Sequence, residues 1–156
     1  MKLLNAATLI VLTVIFAGCA ALVLQPANFA WPIELVQKPD VKGMVHDVRY
    51  QFNCNVKPLL FEERQDSIHV TSYTLRIIRD QAGYYYITGK GFKNVYIFAQ
   101  AEGALILNNK IQVNEKGLGA PAFNQKTSSI QLVDEENDNV APILLKKDGI
   151  QQGGKK

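Results

Sequence analysis

The chain has 156 residues and a mass of 17.4 kDa, room for one domain and a short appendage, which excludes a second full domain. With 47% apolar and 20% charged residues it has the balance of a chain that buries a core, which excludes a disordered polypeptide and a multi-pass membrane protein. The formal charge of +3 is uneven: Lys2 stands alone at the front and Lys146, Lys147, Lys155 and Lys156 crowd the end, while between Glu34 and Pro142 12 basic residues face 13 acidic ones. No basic face spreads over the fold, so no nucleic-acid partner is expected.

After Lys2 no charged side chain appears until Glu34, and residues 3–24 form a nearly unbroken apolar run. A basic start, an apolar stretch and then small residues at Ala17-Gly18 follow the order of a secretory signal. At ~1.5 Å per residue the same run would also cross a ~30 Å hydrocarbon core as an uncleaved anchor. Either way the bulk of the chain is expected to be exported.

Phe16-Ala17-Gly18-Cys19 resembles the lipobox of bacterial lipoprotein signal peptides. The resemblance covers residues 1–19 and implies that Cys19 carries a diacylglycerol and becomes the new amino terminus. Phe16 stands where Leu is usual, and 20–24 continue apolar where a polar tether is more common; both favour the anchor reading, and cleavage nearby without lipid is a third. The absence of Asp at Ala20 resembles lipoproteins sent on to an outer membrane. The expected organisation is a signal peptide over 1–18, or an anchor over 3–24, then a tether over 19–40, a β domain over 41–146 and a flexible tail over 147–156.

In the tether, Pro26, Pro32 and Pro39 bar a long helix, while Phe29, Trp31, Ile33, Leu35 and Val36 are too apolar for an idle linker. Trp31, the only Trp, is a candidate for docking on the core, for the membrane interface or for a partner. With Cys19 lipidated, Cys54 has no intramolecular disulfide partner; it is a small buried hydrophobe, a link to another chain, or a reactive thiol.

From Val41 onward short β-branched and aromatic runs alternate with Gly, Asn and Asp, which predicts strands over 44–52, 68–79, 84–88, 94–100, 104–107, 110–113, 128–133 and 140–145. The links Asp80-Gln81-Ala82-Gly83, Gly89-Lys90-Gly91, Glu102-Gly103 and Asn108-Asn109 have turn chemistry and are too short for parallel crossovers. The expected fold is therefore all-β: a small antiparallel meander closing into a sandwich or a partly closed barrel, with at most one helical turn over 58–64. A loop over 117–122 and an acidic turn over 134–139 complete the pattern.

Tyr84, Tyr86, Tyr96 and Phe98 form the densest aromatic group. Core packing is the first account of it, and a ligand- or partner-facing patch that includes Trp31 is the second. Catalytic chemistry has little to stand on. Cys54 with His69 or His46 as base and Asp47 or Asp66 as orienter has no flanking signature, and two isolated histidines with one cysteine do not pair as zinc ligands. Glu62 and Glu63 read as solvated neighbours in a polar loop, and the acidic turn lacks the spacing of a calcium loop. Lys90-Gly91-Phe92 resembles the opening of the RNA-reading strand of the RRM family, but Lys93 and Asn94 stand where a small residue and a stacking aromatic belong.

No catalytic residue, metal or cofactor is therefore expected. The sequence points to a non-enzymatic, membrane-tethered envelope component or adaptor with a protein partner. Its rivals are a small β-barrel carrying a hydrophobic or lipid-like ligand, a signal-anchored membrane protein, and an envelope enzyme dependent on Cys54.

Overall fold

The computed structural model describes residues 34–49, 52–136 and 141–151; Cys19 and Trp31 lie outside them. Eleven strands run in chain order among these residues: β1 Leu35–Gln37, β2 Met44–Asp47, β3 Phe52–Asn55, β4 Leu75–Arg79, β5 Tyr85–Gly89, β6 Asn94–Ala101, β7 Ala104–Gln112, β8 Pro121–Lys126, β9 Ser129–Asp134, β10 Ile143–Lys146 and β11 Gly149–Ile150. A two-turn helix, α1 Lys57–Arg64, follows β3. Among the described residues no helix is long and apolar enough to cross a membrane.

All pairings are antiparallel. The central sheet has the order β1-β4-β5-β6-β7, a second sheet the order β11-β10-β9-β8, and β2-β3 form a separate hairpin. Short connections make β4 to β7 and β8 to β11 two successive meanders, as turn chemistry dictates. The sheets pack as a sandwich-like all-β fold, and no closed barrel forms among the described residues.

Every residue of β5 is buried, because both faces of the central sheet are covered and successive side chains alternate between them. On one face Tyr85, Ile87 and Tyr96 pack with Val45 of the hairpin, Leu59 and Leu60 of α1, and Phe92. On the other, Tyr86, Val95 and Ile97 pack with Phe123, Ile130, Leu132 and Leu145 of the second sheet. Glu34 latches the two sheets: its carboxylate accepts from the Phe123 N–H of β8 at 2.8 Å and from Arg76 of β4 at 2.9 Å. Burial raises the Glu34 carboxyl above its usual pKa, against the lowering by these two donors.

Several elements differ from expectation, each for a local reason. The single strand expected over 44–52 is instead a hairpin. It turns beside Asp47, whose fully buried carboxylate accepts from the Arg49 backbone at 2.9 Å and its guanidinium at 3.1 Å. Asn108-Asn109 is a bulge and not a turn: Ile97 faces Asn109 and Phe98 faces Leu107, leaving Asn108 as the extra residue within a continuous β7. Both asparagine amides donate to the Lys147 carbonyl, at 3.0 and 3.3 Å, which holds the bulge against the β10–β11 turn.

The expected strand over 68–79 opens as a 3-10 turn, Val70–Ser72, after Asp66 has captured the backbone N–H groups of Ile68 and His69. α1 is longer than one turn: Pro58 sits in its first turn, where its missing N–H costs nothing, and Gln65 ends it at φ 54°. Leu35–Gln37, counted with the tether, forms β1, and Gly149–Ile150, counted with the tail, forms β11. β8 starts within the expected loop on Pro121, a strand-start position that a proline tolerates.

Candidate functional site

Between the hairpin with α1 and the β6–β7 end of the central sheet lies a groove of about 570 Å³, within the range of ligand-sized sites, ~300–1,000 Å³. Its floor is apolar: Tyr85 and Ile87 of β5, Phe98 of β6 and Leu59 of α1. One bank is the unbroken stretch from Phe52 to Val56, and the other is the β6–β7 hairpin from Gln100 to Leu105.

Strand alternation would bring only every second β3 side chain to the groove, so an unbroken lining means that the backbone edge of β3 borders it. β2 occupies the other edge, and on the groove side β3 has no strand partner among the described residues. The site therefore combines a row of backbone donors and acceptors with an apolar floor, the surface on which an extended segment adds as a strand. The Phe52 ring rests on Tyr85 with centroids 5.2 Å apart, fixing β3 over the sheet.

Besides Tyr85, Cys54 is the only titratable side chain in the lining. It is half-buried, and burial pushes its thiol up to about 11, so at neutral pH it is protonated and a poor nucleophile. The proposed bases lie elsewhere. His46 neighbours Val45, which pairs with Cys54, so its side chain takes the opposite face of the hairpin, where Nδ1 meets the Asn53 amide oxygen at 2.6 Å. His69 lies beside Asp66 at 3.3 Å in the segment after α1, and Asp47 is engaged by Arg49. No Cys–His pair is assembled from these residues. Among the described residues no three His, Cys, Asp or Glu side chains gather as a metal site.

The aromatic group read from the sequence divides between the two faces. Phe98 pairs with Tyr85 and Tyr96 with Ile87 on the groove face, whereas Tyr86 pairs with Ile97 on the other. Of the four, only Phe98 lines the groove. Tyr86 donates to Asp80 at 3.1 Å and Tyr96 to Glu63 at 2.7 Å; burial, reinforced by these carboxylates, raises both phenols and keeps them as donors. Tyr84 is half-buried on the Tyr86 side, with the Lys147 ammonium 6.0 Å from its ring centre. Tyr85, which sequence parity set on the face opposite Tyr84 and Tyr86, is the aromatic that forms the floor.

Glu62 and Glu63 are not idle solvated neighbours. Glu62 pairs with Lys110 of β7 at 2.8 Å. Glu63 accepts from the Tyr96 hydroxyl and the Asn94 amide, both at 2.7 Å, and from the Lys93 backbone N–H. These contacts pin α1 to the sheet and thereby hold Leu59 in the groove. The signal for this was the 58–64 segment itself, where Leu59-Leu60 read as the buried side of a turn leaves Glu63 free to reach the sheet.

Comparisons with protein-family models, with curated proteins and with solved structures return no match.

Proposed function

We propose that this protein is a non-enzymatic binding module of the cell envelope, tethered to a membrane by its amino-terminal segment, and that the groove beside β3 receives an extended apolar segment of a partner protein. The observation that carries this is the pairing of a strand edge that has no strand partner among the described residues with an apolar floor of Tyr85, Ile87, Phe98 and Leu59. Backbone pairing along β3 supplies affinity, and the floor selects side chains at alternate positions of the guest. A floor without acids or bases favours a neutral guest over a phosphate or a carboxylate.

Support for the tether is the apolar run over 3–24 and the lipobox-like Phe16-Ala17-Gly18-Cys19. Among the described residues the central sheet stays open between β1 and β7, which supports a groove over an enclosed barrel cavity. The enzyme reading has less support, since His46 takes the face of the hairpin opposite Cys54 and burial pushes the Cys54 thiol up.

A photo-crosslinking phenylalanine analogue in place of Ala104, on the groove bank, tests the binding role in intact cells. The expected result is one discrete adduct that disappears when Leu105→Arg puts a charge in the groove, with no adduct when the analogue replaces Thr127 in the β8–β9 turn. Equal adducts at both positions, or none at Ala104, overturn the proposal. Cys54→Ser is expected to leave that adduct and the cellular function intact; loss of function in a variant that still folds and crosslinks would restore the enzyme reading.

A further inference from the structure

The chain joins the described fold at one particular end of the central sheet. β1 runs antiparallel to β4 with Leu35 opposite Ile77, so Glu34, the first described residue, lies toward the Arg79 end of β4. The pairings Arg79 with Tyr85, Tyr85 with Phe98 and Phe98 with Leu107 carry that end across the sheet to β7. There β6 and β7 run on past their last partner in β5 as a two-stranded ribbon: Ala99 faces Ile106, Gln100 faces Leu105, and Ala101 faces Ala104 at the Glu102–Gly103 turn.

Ile106 in this overhang and Leu107 at its base are exposed apolar residues. Ile106 is 59% and Leu107 50% exposed, and as neighbours in a strand they stand on opposite faces of the ribbon. The outer edge of β7 has no strand partner among the described residues. Apart from the bulge held by the Lys147 carbonyl, an edge without a strand partner that carries adjacent exposed apolar side chains is a feature that proteins left in water avoid, and it marks a contact surface.

We infer that the β6–β7 ribbon is the surface with which the domain rests on the bilayer, Ile106 and Leu107 entering the interfacial layer and the groove opening beside it. This rests on the tether reading above. The place and length of the chain preceding the fold argue for the bilayer as the occupant. Fifteen residue steps separate Cys19 from Glu34, and at ~3.3–3.6 Å each they reach at most ~54 Å. If the anchor ends at Leu24, ten steps reach ~35 Å. A domain of this size has a radius of gyration of roughly 13 Å, so it is about 34 Å across; only a fully extended tether could reach around it, and any shorter path keeps the end at Glu34, which carries the ribbon, toward the membrane.

Among the described residues the charged groups at this end include Glu34, Arg79, Asp80, Glu102, Lys146, Lys147 and Asp148. Lys147 pairs with Asp148 at 2.6 Å, and Arg79 lies 5.5 Å from the Tyr85 ring centre and reaches toward Gln100. With the signs nearly balanced, contact depends on apolar insertion and not on anionic headgroups.

The test uses the full chain in phosphatidylethanolamine vesicles, with and without phosphatidylglycerol, in a Cys54→Ser background that sets the labelling baseline. A bimane label is placed at Ile106→Cys or, as a control on the outer face of α1, at Phe61→Cys. Both positions are exposed, so the substitutions leave the core untouched. The expected result is flotation with the vesicles, a blue-shifted label at 106 that is quenched by lipid-borne nitroxide and several-fold protected from aqueous iodide, and a label at 61 fully open to iodide. Removing phosphatidylglycerol or raising salt should change little. Flotation with equal iodide access at both positions overturns the ribbon contact while leaving the tether standing, and protection at 61 instead reverses the orientation. Failure to float overturns the tether and the inference together.

Discussion

Tyr96→Phe isolates the staple that holds α1, and with it one wall of the groove. The ring is buried in the first core, and its hydroxyl is one of three donors to the Glu63 carboxylate. The substitution keeps the packing and removes one charge-assisted hydrogen bond. Such bonds are worth ~1.5–3 kcal/mol. Glu63 is only half-buried and keeps two donors, so the loss should fall near the lower end, about 1–2 kcal/mol. At roughly 4–8 °C per kcal/mol for a small domain, Tm should drop by roughly 4–16 °C.

In urea the transition midpoint should move with the slope unchanged, because the surface exposed on unfolding is the same. Since α1 also carries Leu59, loosening it should raise the rate at which Cys54 reacts with a thiol reagent. A double-mutant cycle with Glu63→Gln assigns the effect: the two changes share one bond and should fall well short of additivity. Unchanged Tm in Tyr96→Phe, or additivity with Glu63→Gln, would refute the staple.

Three further outcomes follow from the same geometry. Burial pushes the Cys54 thiol up to about 11, so in the folded protein its alkylation should be slow near neutrality and climb with pH toward that value, whereas an unfolded sample should react readily near pH 9. The backbone N–H groups of His69 and Ile68, with the Tyr73 hydroxyl, hold Asp66 at about 2, below the ordinary 3.8. The folded state therefore binds this proton more weakly than the unfolded chain, and the contribution is full above about pH 4 and fades as pH falls toward about 2. Asp66→Ala should lower Tm at neutral pH, and the gap to the parent should close on acidification. Gly117 has φ +93°, and a Cβ there would meet the Gly91 carbonyl oxygen at 2.7 Å, so Gly117→Ala should lower stability by ~1–3 kcal/mol in chemical denaturation.

The strands legible in the sequence were those in which β-branched and aromatic residues are bounded by Gly or Asp, namely β5, β6 and β9. The hairpin of β2 and β3 was not, because its turn contains no glycine and is made by an aspartate gripping an arginine two residues later. Asn108-Asn109 has turn composition, yet its side chains are satisfied by the Lys147 carbonyl, a partner nearly forty residues away that no local pattern announces. The antiparallel meanders were legible because link length alone forces them.

The groove was not legible, for a physical reason: its floor comes from β5, β6 and α1, and its banks from a hairpin and the end of a ribbon. Alternation correctly set Tyr85 against Tyr84 and Tyr86, but periodicity does not say which face of a doubly covered sheet is left partly open. Composition likewise drew the eye to four aromatic residues that the register divides between two cores. The isolation of Cys54 from its suggested bases depends on which side of the hairpin His46 takes, and that is set by a pairing the sequence did not reveal.

The central claim is that the β domain works while moored to a bilayer through its amino-terminal segment. It is tested most directly by the intact mass of the native protein extracted from the membrane fraction. The account predicts a chain starting at Cys19 with the added mass of a lipid, or a full-length chain that partitions as an integral membrane protein. Full-length, unmodified protein in the soluble fraction of the cell interior would contradict it.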